Sequence, residues 1–210
     1  IYKRYIFWIE FMRLFFILFL NLLFIPLFLI NESIAHSLVN NNSGFATGFS
    51  HPILGLDHFL VMLGVGLWGA QMQGRRMWSL PITFPIIMSL GAMISIANIF
   101  ELYYVEHIIV LSVIILGLFI LLKWLPGETI AIILISFFAI FHGYAHGNEV
   151  PKAIDPSNFI LGFVISTGLI HLLGILLGYV LEKFYNGLVS RVLGMIISLS
   201  GIIIASRILF

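Results

Sequence analysis

The 210-residue chain is 61% hydrophobic and 9% charged, with a net charge of +1 and no cysteine. A soluble domain uses about 25% charged residues to cover its surface, so this chain can face water only at loops and reads as an integral membrane protein. The lack of a basic stripe excludes a nucleic-acid partner. The lack of cysteine excludes disulfides, thiolate zinc sites and iron–sulfur clusters, leaving His, Asp, Glu, Met or backbone oxygen to hold any metal.

The first element is a segment to set apart from the fold. From Met12 the chain reads MRLFFILFLNLLFIPLFLINESIAHS: a positive charge, a long apolar stretch, then a polar turn with small residues at Ser33 and Ala35. This is the pattern of a secretory signal peptide. Residues 1–35 are therefore expected to be an N-terminal extension plus signal peptide, starting at Met12 and cleaved after Ala35, with His36 as the mature N-terminus. The same run left uncleaved would be an additional first helix. Residues 36–48 are polar and rich in Gly and Asn, and read as an exposed loop.

Six apolar runs of spanning length follow, at about 50–70, 80–100, 104–122, 128–147, 157–181 and 187–209. The expected fold is an all-α integral membrane protein, with six transmembrane helices forming one domain over 36–210. With the mature N-terminus outside, the inner loops hold Arg75, Arg76, Lys123, Lys183 and Arg191, and the outer side holds Lys152 and Arg207. That bias obeys the positive-inside rule. Glu101, Glu106, Glu149 and Asp155 then fall at the outer face, where an acidic mouth favours cations.

Two polar motifs interrupt the apolar runs. HPILGLDH, residues 51–58, opens the first span, and FHGYAHGNE, residues 141–149, closes the fourth. Counting about 1.5 Å per residue along a continuous helix places Asp57 and His58 roughly 10 Å below the outer entry. His142 lies at a comparable depth, so the motifs share a layer. On a helix, His142 and His146 are about 40° apart on one face, and Glu149 extends that stripe. His51 and His58, seven apart, also share a face. Asp57 points about 100° away from His58. Three roles are open to it: orienting a ring nitrogen, reaching the site through an irregular turn eased by Gly55, or ligating directly. A charge at bilayer depth costs about 2.5–3.5 kcal/mol even on the lenient insertion scale. One layer of His51, His58, His142, His146, Asp57 and Glu149 therefore points to a cation or proton site rather than incidental hydrogen bonds.

Weaker candidates are His36, whose α-amino group and imidazole could bind a divalent ion, Glu106 at the outer end of the third span, and His171 inside the fifth. A helix–helix hydrogen bond would explain His171 equally well. Scattered methionines, among them Met62, Met88, Met93 and Met195, read as lipid-facing or packing residues, and Gly187, Gly194 and Gly201 as helix packing. Imidazole with carboxylate and no thiolate suits Ni²⁺, Co²⁺ or Zn²⁺ and suits Mg²⁺ or Ca²⁺ poorly.

HPILGLDH with FLVMLGVGLWGAQ after it, and FHGYAHGNEVP later, resemble the two signatures of the HupE/UreJ family. That resemblance implies a bacterial membrane permease associated with nickel, and in some lineages cobalt, uptake for hydrogenase and urease. It carries over His51, Asp57 and His58 from the first signature, and His142, His146 and Glu149 from the second. Glu106 and His171 also stand where similar residues are found. The expected function is inward secondary transport of Ni²⁺ or Co²⁺ at the bacterial plasma membrane, with no prosthetic group and no enzymatic activity. The chain contains no GxxxxGK[ST] loop for nucleotide. Rival classes are an intramembrane metal-dependent enzyme, disfavoured by the lack of an HExxH pair or a nucleophile motif, and a metal-binding membrane subunit that binds without flux.

Overall fold

A computed structural model describes residues 44–150, 155–185 and 187–209. The expected signal peptide over 1–35, His36 and Lys152 lie outside the described residues. Seven helices and no strand occur among the described residues. They are α1 (Gly44–Leu54), α2 (Leu56–Met72), α3 (Arg76–Ile96), α4 (Val105–Leu122), α5 (Glu128–Asn148), α6 (Pro156–Tyr185) and α7 (Leu188–Leu209). Helices α3 to α7 are each long and apolar enough to cross a bilayer, and α1 with α2 passes the same test as a broken pair bent by 78°. The chain is an all-helical, multi-pass membrane protein.

The first span departs from the expected straight helix. The chain is helical from Gly44, inside the stretch read as a loop, and the helix breaks at Gly55, whose φ of −77° and ψ of 107° are extended. Pro52 sits inside α1 and has no N–H to offer the preceding turn, which weakens the helix close to the break. Counting depth along one continuous helix therefore fails: Asp57 and His58 occupy the first turn of α2, not its third. Helix α1 lies instead against the start of α6. A Cβ added at Gly48 would strike the Phe159 backbone, and one at Gly162 the Phe45 backbone. Both positions need glycine for that close approach.

Helix α2 is the core of the molecule. Every residue from His58 to Met72 is buried, as expected for a helix that is apolar all round. It packs mainly on α6, while α3 pairs with α5 and α4 with α7. The outer helices carry exposed stripes at helical spacing, such as Ile82, Ile86 and Leu90 on α3 and Leu169, Leu172 and Leu176 on α6. These are the faces that lipid solvates. Gly143 and Gly147 press onto the backbone or side chains of Met88, Ala92 and Ser95 of α3, the close crossing that a small-xxx-small pattern permits. Gly194 and Gly201 do the same against α4, but Gly187 does not: it lies before α7 with φ +75°. Of the methionines, Met62 and Met88 are fully buried, while Met93 and Met195 are exposed.

Helix α3 starts and ends four residues earlier than expected, which moves Pro81 from the first turn to the interior of the helix, beside Pro85. Prolines are tolerated within spanning helices where neighbours satisfy the freed carbonyls.

Candidate metal centre

The bend at Gly55 aims the end of α1 and the start of α2 at the end of α5. His51, from α1, is the most accessible of the three histidines that meet there, with 29% of its side chain exposed. His58 and His146 are buried. The three rings meet edge to face, with centroids 5.6 Å apart for His51–His58, 4.8 Å for His51–His146 and 4.6 Å for His58–His146. One ring nitrogen from each falls within 4.8 Å of the others, so three imidazoles can converge on a single ion.

The carboxylates serve these rings. Asp57 Oδ1 accepts both the His58 backbone N–H at 2.8 Å and His58 Nδ1 at 2.9 Å. Its negative charge also sits in the first turn of α2, where the helix dipole stabilises it. A carboxylate oxygen can only accept, so Nδ1 carries the proton, and Nε2 is the atom whose lone pair faces the cluster when the ring is neutral. Of the three roles open to Asp57, its hydrogen bonds to His58 match the orienting one. Glu149 follows the last turn of α5 and lies 2.7 Å from His51 Nε2. Burial raises the affinity of Glu149 for its proton, but the hydrogen bond and charge of His51, with the charge of His58, outweigh it and hold the carboxyl below its ordinary range.

His142 stands one turn inward of His146, its ring 5.3 Å from that of His58. Its Nδ1 donates to the Phe138 carbonyl at 2.9 Å, which leaves Nε2 free in the same sense. His58 Nε2, His142 Nε2 and both ring nitrogens of His146 are buried without a hydrogen-bond partner. An unsatisfied buried polar atom costs about 1–3 kcal/mol, and four in one cluster ask for a ligand as their explanation. Phe163 stacks on His146 at 5.0 Å and 16° and holds its plane.

The remaining candidates separate. Glu106 is exposed in the first turn of α4, within electrostatic reach of Asp57, His58 and Glu149, so it belongs to the mouth rather than the trio. His171 is buried on α6 and meets the ring of Phe84 rather than the trio. Phe84 and Phe163 were invisible to sequence reasoning, because an aromatic in an apolar run carries no sign of which neighbour it faces.

The family model described as "HupE / UreJ protein" matches residues 24–204. A relative named "Protein HupE", from Rhizobium leguminosarum bv. viciae, is 35% identical over 170 residues, covering 80% of this chain and 88% of the relative. No solved structure matches. Matched over most of its length, and with both motifs folded into one histidine cluster, the chain belongs to the HupE/UreJ family.

Proposed function

We propose that this protein is a permease that carries Ni²⁺ or Co²⁺ inward across the bacterial plasma membrane, with the mature N-terminus outside. The observation that carries this reading is the convergence of His51, His58 and His146 within 4.8 Å, with unpartnered ring nitrogens on His58 and His146. Late first-row divalent cations favour neutral imidazole donors. A cation drawn to Glu106, Glu149 and Asp57 would exchange its water for these three rings. The carboxylates offset the desolvation of a double charge, and Asp57 and Glu149 hold His58 and His51 in orientation. No bound cofactor is required, because the ion is the cargo. Family association further suggests that the metal supplies hydrogenase or urease.

The test is uptake of ⁶³Ni²⁺ and ⁵⁷Co²⁺ by cells expressing the chain. His146→Ala should abolish uptake while the protein still reaches the membrane. Ser200→Ala, equally buried on α7, should transport normally. A wild-type protein that reaches the membrane and accumulates neither ion overturns the proposal. Metal binding by purified protein without flux would point to a membrane metal-binding subunit instead.

A further inference from the structure

Pro81 and Pro85 stand four apart inside α3. In a regular helix the N–H of residue 85 would bond to the carbonyl of residue 81, but proline has none. The Pro81 carbonyl instead accepts from His171 Nδ1 of α6 at 3.0 Å. Nδ1 therefore carries the proton, and the lone pair of the neutral ring lies on Nε2. That atom is buried without a hydrogen-bond partner. A fixed Nδ1 with a free Nε2 is how a carbonyl presents a histidine to a metal, and His142 is held by Phe138 in the same way.

One phenyl ring stands against both histidines. Phe84 is fully buried, and its centroid is 5.5 Å from His142 and 5.5 Å from His171. Other donors flank the route. Met62 is one turn inward of His58 on α2, and its sulfur accepts the Thr167 hydroxyl at 3.3 Å. Thr167 is one turn before His171 on α6. Imidazole and hydroxyl thus stand beside a thioether on the turns behind the three-histidine cluster, where apolar packing alone would need neither of the two polar groups.

We propose that His171 is a second, inner holding position for the transported cation, divided from the outer cluster by Phe84, whose ring turns aside as the ion passes from His142. This rests on the permease reading and adds a step to it. The outer cluster captures the ion, Phe84 keeps the two positions from being joined by water, and His171 receives the ion in the interior.

The decisive variant is His171→Asn. Its amide N–H can still donate to the Pro81 carbonyl, so a purely structural role survives, but the Nε2 lone pair is lost. Ni²⁺ uptake should fall at least about tenfold, while Ni²⁺ affinity of the purified full-length protein, set by the outer cluster, stays within about twofold. Pro85→Ala gives an independent reading. It restores the N–H that competes for the Pro81 carbonyl, frees the His171 ring and should lower uptake several-fold in a helix that is otherwise better formed. Phe84→Ala should speed loss of ⁶³Ni²⁺ from preloaded proteoliposomes several-fold. Wild-type uptake by His171→Asn and Pro85→Ala, or unchanged loss through Phe84→Ala, overturns the inner position or the septum respectively and leaves the permease reading intact. A wild type that neither binds nor carries Ni²⁺ overturns both.

Discussion

At the scale of single residues, a histidine becomes a candidate ligand here through what fixes its other nitrogen. Asp57 fixes His58, Phe138 fixes His142, and Glu149 bonds to His51. Orienting partners of this kind typically contribute 10–100-fold to metal affinity. Asp57→Ala, which removes the acceptor of His58 Nδ1, should therefore weaken Ni²⁺ binding by about 10–100-fold. Asp57→Asn, which keeps an oxygen acceptor and loses only the charge, should fall between that variant and wild type. Equilibrium binding by purified protein measures the order, and an Asp57→Ala affinity equal to wild type would remove Asp57 from the site. The histidines themselves were legible because α5 is regular, so the spacing of His142 and His146 translates directly into one face. The role of Asp57 was not legible. It turns on a side chain folding back onto its own neighbour in the first turn of α2, a local geometry that residue spacing does not encode.

At the scale of elements, five of the six expected spans appear near their expected bounds, because a long apolar run in a bilayer has no alternative to helix. The first span was misread because both of its ends carry competing signals. Gly44 to Gly48 continues the polar stretch before it and reads with it as loop, yet glycine faces let this segment pack on α6. The break at Gly55 depends on α1 finding that surface. The part played by Pro81 was equally hidden, since its carbonyl finds His171 only once α3 and α6 are neighbours. Glycine contacts give a direct test of these packings. A side chain at Gly143 would collide with the Met88 backbone. Gly143→Val should thus destabilise the protein by about 1–3 kcal/mol or block its assembly. Nothing lies within 4 Å of a Cβ at Gly168, so Gly168→Ala should be neutral or stabilising by up to about 1 kcal/mol. Thermal melting of the two variants in one detergent checks this pair. Equal melting temperatures would mean that α3 and α5 do not cross at Gly143.

At the scale of the whole molecule, charge is sorted along the bundle. Around the end of α2 remote from the histidines, Lys123 pairs with Glu182 at 2.8 Å, Arg191 donates to the Leu121 carbonyl at 2.8 Å, and Arg76 to that of Pro126 at 3.2 Å. If that basic end faces the cytoplasm, a single cysteine replacing Gly74 in this cysteine-free chain should be labelled only from inside, and one replacing Ser157 only from outside. The reverse pattern would invert the orientation. In that orientation the histidine cluster lies toward the outer side, and competition between protons and metal gives the last prediction its sign. A metal takes the neutral ring, so protons compete with it, and imidazole has a reference pKa of about 6.5. Ni²⁺ affinity should therefore fall as pH drops from about 7.5 to 5.5. Glu149 does not set this window. Its pKa is lowered, so it stays ionised there. The stability it contributes is present above its unfolded pKa and is lost only as pH falls through the lower folded one. The fold should accordingly outlast the binding on acidification, with helicity by circular dichroism unchanged at pH 5.5 while Ni²⁺ affinity has dropped. Affinity that is flat across this range would mean that no ring gains a proton in competition with the metal there, and loss of helicity in step with affinity would make the pH effect one of unfolding.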